Sequence, residues 1–240
     1  MKNLAVLSCF KNESAIIVEW IEHYLKEGVE HIYLIDNDSS DNYLCKIQPY
    51  IDKELVTLYI RPVPYIQTLH LNEIYKIIKD NYKWLVMVDL DEFIFAPNYK
   101  NLNIYLQNKQ QYAGIYANWT NFGSYDKYEQ PTSVIDSFLW RWKDYAGETK
   151  GIIQCSKTKE VHLHRHVHVD KEPVLDDNNE LKVFHYQIQS REYFDKVKAV
   201  RGDAIDMHSN SVRNAYYFQS RDRREVYEDT LKLRQKNKLV

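Results

Sequence analysis

Residues 4–42, LAVLSCFKNESAIIVEWIEHYLKEGVEHIYLIDNDSSDN, change their hydrophobic period twice, and those changes decide the fold class. Leu4–Phe10 is an unbroken apolar run of the kind carried by a strand buried on both faces. From Ile17 the period becomes helical. Ile17, Trp20, Ile21, Tyr24 and Leu25 share one stripe, with Asn12 or Ser14 as N-cap and Gly28 as the stop. A second strand follows at once in HIYLID and ends in a turn-rich acidic tip. Strand, helix and strand in this order predict a parallel β-α-β unit.

The pattern continues outward. LVTLYI reads as a third strand, YIQTLHLNEIYKIIKDN as a helix with Ile66, Leu69, Ile74, Ile77 and Ile78 on its apolar face, and KWLVMVD as a fourth strand. Beyond Pro97, NLNIYLQNK predicts a short helix and AGIYANW a strand, while 118–151 is aromatic, polar and irregular. GIIQCS, VHLHRHVHV and KVFHYQI predict late strands, SREYFDKVKAVRG a helix and RDRREVYEDTLKLRQKNK a charged terminal helix. With no repeat and only DKEPVLDDNNE (170–180) reading as an exposed loop, the expectation is a single α/β domain.

Composition narrows the function classes. Thirty-two Lys and Arg against 34 Asp and Glu give a net charge of −2, so no general basic field points to nucleic acid. No apolar run suits a signal peptide or membrane span, which predicts a cytoplasmic chain without an integral membrane segment. Cys9, Cys45 and Cys155 are widely spaced and read as reduced core residues. The six glycines stand singly, at 28, 114, 123, 147, 151 and 202. There is no glycine-rich phosphate loop, so any phosphate must be held by side chains and metal.

Three acidic clusters fall at predicted strand ends: Asn12-Glu13, Asp36-Asn37-Asp38 and Asp89-x-Asp91-Glu92. Parallel strands bring such ends to one rim, where open α/β sheets bind ligands. Paired carboxylates near a low-dielectric core are costly unless a cation offsets them, and oxygen ligands suit Mn2+ or Mg2+. The competing reading is a turn whose carboxylates cap the next segment.

The combination of VLSCFKNESAIIVEWIEHYLKEGVEHIYLIDNDSSDN, WLVMVDLDEFI, NWTNFGS and VFHYQIQSREYFDKVKAVRG resembles the glycosyltransferases of family 92 and the related family 2-like group. The resemblance implies a GT-A, Rossmann-like domain with a mixed, mostly parallel sheet flanked by helices. Its implied parts are a nucleotide-sugar half over 1–97, an acceptor half over 98–205 and a helical tail over 206–240. It also implies inverting hexosyl transfer from a nucleotide-sugar donor, a UDP-sugar by preference, to a glycan acceptor. On the same basis Asp89, Asp91 and His185 would hold the metal on the diphosphate, with Asp91 the direct ligand. Glu13, Asp36, Asn37 and Asp38 would face the nucleotide, and Trp119, Phe122 and Gly123 the transferred sugar.

Inversion requires a general base, for which the acceptor half offers Asp126, Asp144 and Glu148. Trp140 and Trp142 are candidates for stacking on an acceptor sugar. His162, His164, His166 and His168 would share one face of a strand; their spacing of roughly 6.5–7 Å is wide for one transition metal. Two other function classes stand beside the transferase: a sugar-1-phosphate nucleotidylyltransferase, disfavoured by the missing glycine loop, and a carbohydrate-binding protein with an inactive site.

Overall fold

A computed structural model describes residues 1–201 and 213–236. The elements, in chain order, are β1 (Lys2–Phe10), α1 (Ile17–Lys26), β2 (His31–Asp36), α2 (Tyr43–Ile51), β3 (Val56–Ile60), α3 (Gln67–Ile78), β4 (Tyr82–Met87) and β5 (Glu92–Phe95). There follow α4 (Leu102–Leu106), β6 (Gly114–Asn121), α5 (Val134–Ser137), β7 (Trp140–Arg141), β8 (Thr149–Gln154), β9 (Thr158–Glu160), β10 (Val167–His168), β11 (Val174–Asp176) and β12 (Lys182–His185). The last stretch holds α6 (Arg191–Tyr193), a π-helical turn (Phe194–Lys198), α7 (Ala199–Arg201), α8 (Ala215–Arg221), β13 (Val226–Tyr227) and α9 (Thr230–Lys236).

The main sheet runs β3-β2-β1-β4-β8-β6-β12-β5, with β11 also on β6. β1, β2, β3 and β4 pair in parallel, and β6 pairs in parallel with β11 and β12. β8 is antiparallel to both β4 and β6, and β5 is antiparallel to β12. The architecture is therefore α/β with a mixed, mostly parallel sheet. Alternation along β1 divides the core: Leu4 and Val6 pack with Ile17, Trp20, Ile21 and Tyr24 of α1, whereas Ala5, Leu7 and Cys9 pack with Leu71, Ile74, Tyr75 and Ile78 of α3. Helices thus cover both faces. Gly28 at φ +84 ends α1, and a Cβ there would lie 2.6 Å from Asn103 Nδ2.

Several sequence expectations change. α1 begins at Ile17 with Ile16 before it, so neither Asn12 nor Ser14 caps it. α3 buries His70, Leu71, Ile74, Tyr75 and Ile78, while Leu69 and Ile77 face solvent; the sheet-facing stripe includes polar-tipped rings that an aliphatic pattern overlooks. α2, with Pro49 inside it, fills a stretch between β2 and β3 to which the sequence pattern assigned no element. Cys45 is exposed rather than in the core. The 170–180 segment contributes β11 to the sheet and buries Asp177. The histidine run is mostly turn, with only Val167–His168 in a strand, so its histidines do not share one strand face. The charged terminal segment is not one helix. It ends α8, forms β13 on β7 and then α9, and its last residues, 237–238, lie outside the described residues, as do 206–212 of the expected tail and Gly202.

Candidate active site

The carboxyl ends of β1, β2 and β4 open onto one cleft of about 620 Å³, lined among others by Phe10, Glu13, Asn37, Asp89, Asp91 and His185. Its centre is the turn between β4 and β5. Glu92 N donates to Asp89 O at 3.1 Å, and Asp89 N donates to Glu92 Oε2 at 2.8 Å. α1 grips this turn from below: Trp20 Nε1 donates to Asp89 O and Glu92 O, and Tyr24 Oη to Glu92 O. The apolar stripe of α1 therefore does two jobs, filling the core and fixing the backbone of the D-x-D turn.

The register of β12 on β5 sets His185 opposite Glu92, and its register on β6 sets His185 opposite Asn121. Asn121 Oδ1 lies 2.9 Å from His185 Nδ1, and the Trp119 ring covers the imidazole at a centroid distance of 4.2 Å. His185 Nε2 lies 3.6 Å from Asp91 Oδ1. Asp91, Glu92 and His185 each bring one ligand atom within 4.8 Å of the others.

Cations surround this acid cluster. Lys150, from β8, puts Nζ 2.8 Å from Asp89 Oδ2 and 3.5 Å from Glu92 Oε2. Lys198 reaches Asp91 Oδ2 at 2.6 Å and Glu13 Oε1 at 2.9 Å, and Arg201 reaches Glu13 Oε1 and Lys11 O at 2.5 Å each. Tyr193 also donates to Glu13. The π-helical turn allows this: five residues separate Tyr193 from Lys198, which a regular helix would put on different sides and an i→i+5 turn brings together.

These contacts split the carboxylates. Burial works to raise the Asp91 pKa, but Lys198, His185 and Arg201 outweigh it and hold this carboxyl well below the usual range. Glu92 is fully buried, and burial pushes its pKa well above the ordinary value; Lys150 opposes this, while Asp89 and Asp91 add to it. Among the described residues its Oε1 has no hydrogen-bond partner. An orphaned buried carboxyl oxygen, an aspartate held ionised and an imidazole nitrogen beside it fit a hard divalent cation. Asp89 is placed differently. Its oxygens are taken by Lys150 and, at 3.3 Å, by Gln67 Nε2.

The other expected residues divide by position. Asn37 lines the cleft with Nδ2 donating to Arg61 O and Val63 O. Asp36 turns inward, accepting from Ser39 N and Tyr43 Oη, and Asp38 is exposed beside Lys11. Trp119, Trp142 and Glu148 line the cleft. Phe122 does not: it is 1% exposed and packs on Phe184 and Tyr186. Gly123 makes room for backbone rather than for a sugar, since a Cβ there would lie 2.6 Å from Arg223 O. Trp140 pairs with Tyr227 outside the cleft, and Asp126 and Asp144 are exposed and away from its lining. His164 lines the cleft, whereas His168 bonds Tyr116 and Thr158 and His166 stacks on Tyr116. Among the described residues the histidine run forms no metal cluster.

Lys150, Lys198, Arg201, Arg213, Arg221, Asn121 and Gln67 escaped the sequence reading. One signal was available, the cations of KVKAVR in an otherwise amphipathic segment.

The model of glycosyltransferase family 92 matches residues 6–234, which takes in every element that builds the cleft. The chain belongs to glycosyltransferase family 92. Membership decides for a glycosyltransferase among the three function classes. A search of curated proteins returns no match. Among solved structures, this family 92 glycosyltransferase is similar to S. aureus TarS 1–349 in complex with UDP-GlcNAc, at 14% identity and a TM-score of 0.47, over 92% of this chain and 72% of that one. It is also similar to the UDP complex of the same protein, at 13% identity and a TM-score of 0.46, over 92% and 71% of the two chains. Both likenesses are remote, and the family assignment does not rest on them. Among the described residues, no helix is long and apolar enough to cross a membrane.

Proposed function

We propose that this glycosyltransferase transfers a hexose from a UDP-sugar to a glycan hydroxyl with inversion, using a divalent cation, Mn2+ or Mg2+. The observation that carries the reading is the convergence of Glu13, Asn37, Asp89, Asp91 and His185 on one cleft from separate strand ends. Asp91 and His185 would hold the cation, with Glu92 Oε1 as a third ligand atom, and Asp89 would be a positioning group tied to Lys150. Bound there, the cation supplies Lewis-acid stabilisation of the charge that grows on the leaving diphosphate.

The chain's own residues do the rest. Asn37, its Nδ2 held by Arg61 O and Val63 O, would offer its amide oxygen to the nucleotide, and Gln67 an amide that also holds Asp89. Trp119 offers an aromatic face to the transferred ring. Glu148 is the base in this reading, because of the three candidates it alone lines the cleft, beside Trp119, whose N donates to Glu148 O at 3.1 Å. Its carboxylate accepts the acceptor hydroxyl's proton as that oxygen attacks the anomeric carbon. The donor draws mainly on 1–97, joined by His185 and Trp119 from 98–205, which also supplies the base, and the three free cysteines suit a reducing, cytoplasmic setting.

The test incubates the protein with MnCl2 and UDP-, GDP- and dTDP-sugars and follows nucleotide release. Release of UDP that stops with EDTA and in Asp91→Asn supports the proposal. Undiminished release in excess EDTA refutes the cation, and release from only the other donors refutes the choice of UDP.

A further inference from the structure

The cleft's cations fall into two groups. Lys11, Lys150 and Arg201 in its lining, with Lys198 behind it, are committed to Asp38, Asp89, Glu92, Glu13 and Asp91. Arg213 and Arg221, which line the cleft beside Trp142, have no carboxylate partner among the described residues. Arg221 instead stacks on the Tyr217 ring, 3.7 Å from its centroid. The strip continues out of the cleft: Arg223 lies 4.3 Å over Trp142, and Arg224 lies 3.8 Å over Tyr125 and 5.0 Å over Trp140. Stacking holds Arg221, Arg223 and Arg224 by their faces; one edge nitrogen of each donates, to Ser220 Oγ, Ser220 O and Tyr125 Oη respectively, and the remaining N–H groups are left for a ligand.

The one acid within Arg221–Arg224 does not neutralise them. Asp222 turns inward, where Oδ1 accepts from Ser124 N at 2.6 Å and Tyr125 N at 3.2 Å, and Oδ2 accepts from Ser124 Oγ at 2.8 Å. Those bonds seat the strip on the 123–125 loop, over the glycine that admits Arg223 O. Glu225 offsets the positive edge only in part, 3.9 Å from Arg223. Arg223 and Arg224 lie beyond the cleft's lining, so the strip suits a long anion that leaves the cleft rather than a diphosphate held at its metal end.

We propose that the acceptor is an anionic glycan, carrying phosphate or carboxylate groups, that runs from the cleft along Arg213, Arg221, Arg223 and Arg224. This rests on the nucleotide-sugar reading above. The test measures, by calorimetry at low salt with saturating UDP and MnCl2, binding of hexagalacturonate, of a poly(glycerol phosphate) hexamer and of neutral cellohexaose. At least one anionic oligomer should bind about tenfold more tightly than cellohexaose, as expected for two or more charge-assisted contacts, and which one does so separates carboxylate from phosphate. Arg221→Gln and Arg224→Gln should each weaken that binding by about fivefold, with unchanged melting temperature and UDP affinity. Equal binding of cellohexaose overturns the proposal, as does anionic binding that survives the double variant. Loss of UDP affinity in Arg221→Gln with oligomer binding intact also overturns it, making Arg221 a donor contact. Absence of UDP binding in the unmodified protein sinks the nucleotide-sugar reading, while the oligomer comparison still decides the strip.

Discussion

Lys198→Met removes the charge that holds Asp91 while keeping most of the side chain's volume. Lys198 has no exposed surface, and its Nζ bridges Asp91 Oδ2 at 2.6 Å and Glu13 Oε1 at 2.9 Å. Glu13 retains Arg201, so the penalty falls on Asp91, left ionised and buried with His185 at 3.6 Å. Breaking a buried pair from one side costs about 3–5 kcal/mol. For a chain of this size, with about 2–4 °C per kcal/mol, the melting temperature should fall by roughly 6–20 °C. Differential scanning calorimetry in EDTA at neutral pH reads this directly. Lys198→Met/Asp91→Asn should recover part of the loss, with a coupling of about 1–3 kcal/mol, because neither charge is then stranded. A single-variant shift under 2 °C, or strictly additive losses, would show that the network does not govern the fold of the site.

Other outcomes follow from the same geometry. Glu148→Gln should lower kcat by about 10²–10⁴-fold with little change in donor KM if it takes the acceptor proton; an unchanged kcat rejects it as base. Gly123→Ala brings a Cβ to 2.6 Å from Arg223 O, so it should detach the arginine strip, seen as faster proteolysis within 213–225 with the β1–β4 half still protected; identical digestion patterns would contradict this. His23 is buried, with Nε2 2.9 Å from Ile94 O, and burial lowers its pKa to about 3. The unfolded chain takes this proton near pH 6.5 and the folded one does not, so stability present above that pH is lost as pH falls toward 3. The span corresponds to about 5 kcal/mol. His23→Gln should flatten the acid limb of denaturant-derived stability between those pH values, and an identical limb in both proteins would discount the histidine.

Much of the site was legible locally. Asp89, Asp91 and Glu92 follow a strand that the run WLVMV specifies without help, and the stripe of α1 marks the helix that holds their turn. The parallel pairing of β1 with β2 and β4 then puts Glu13, Asn37 and Asp91 on one rim, a consequence of the β-α-β period. Local pattern failed where a side chain's surroundings come from elsewhere in the chain. Trp119 lies in β6 and Phe122 just past its end, yet Phe122 points into the packing of Phe184 and Tyr186 while Trp119 covers His185. The histidine run alternates like a strand but is held as turns by bonds to Tyr116, Thr149 and Thr158.

By itself, then, the sequence determined the α/β class, the order of the first four strands' elements and the acidic strand ends, because hydrophobic period and turn chemistry act over a few residues. Only the tertiary structure decided how those acids divide. Lys150, Lys198 and Arg201 stand 61, 107 and 188 residues from their partners Asp89, Asp91 and Glu13, and ion pairing depends on distance in space. The same long-range contacts hold Asp91 ionised, leave Glu92 Oε1 without a partner and leave Arg213 and Arg221 without a carboxylate, among the described residues.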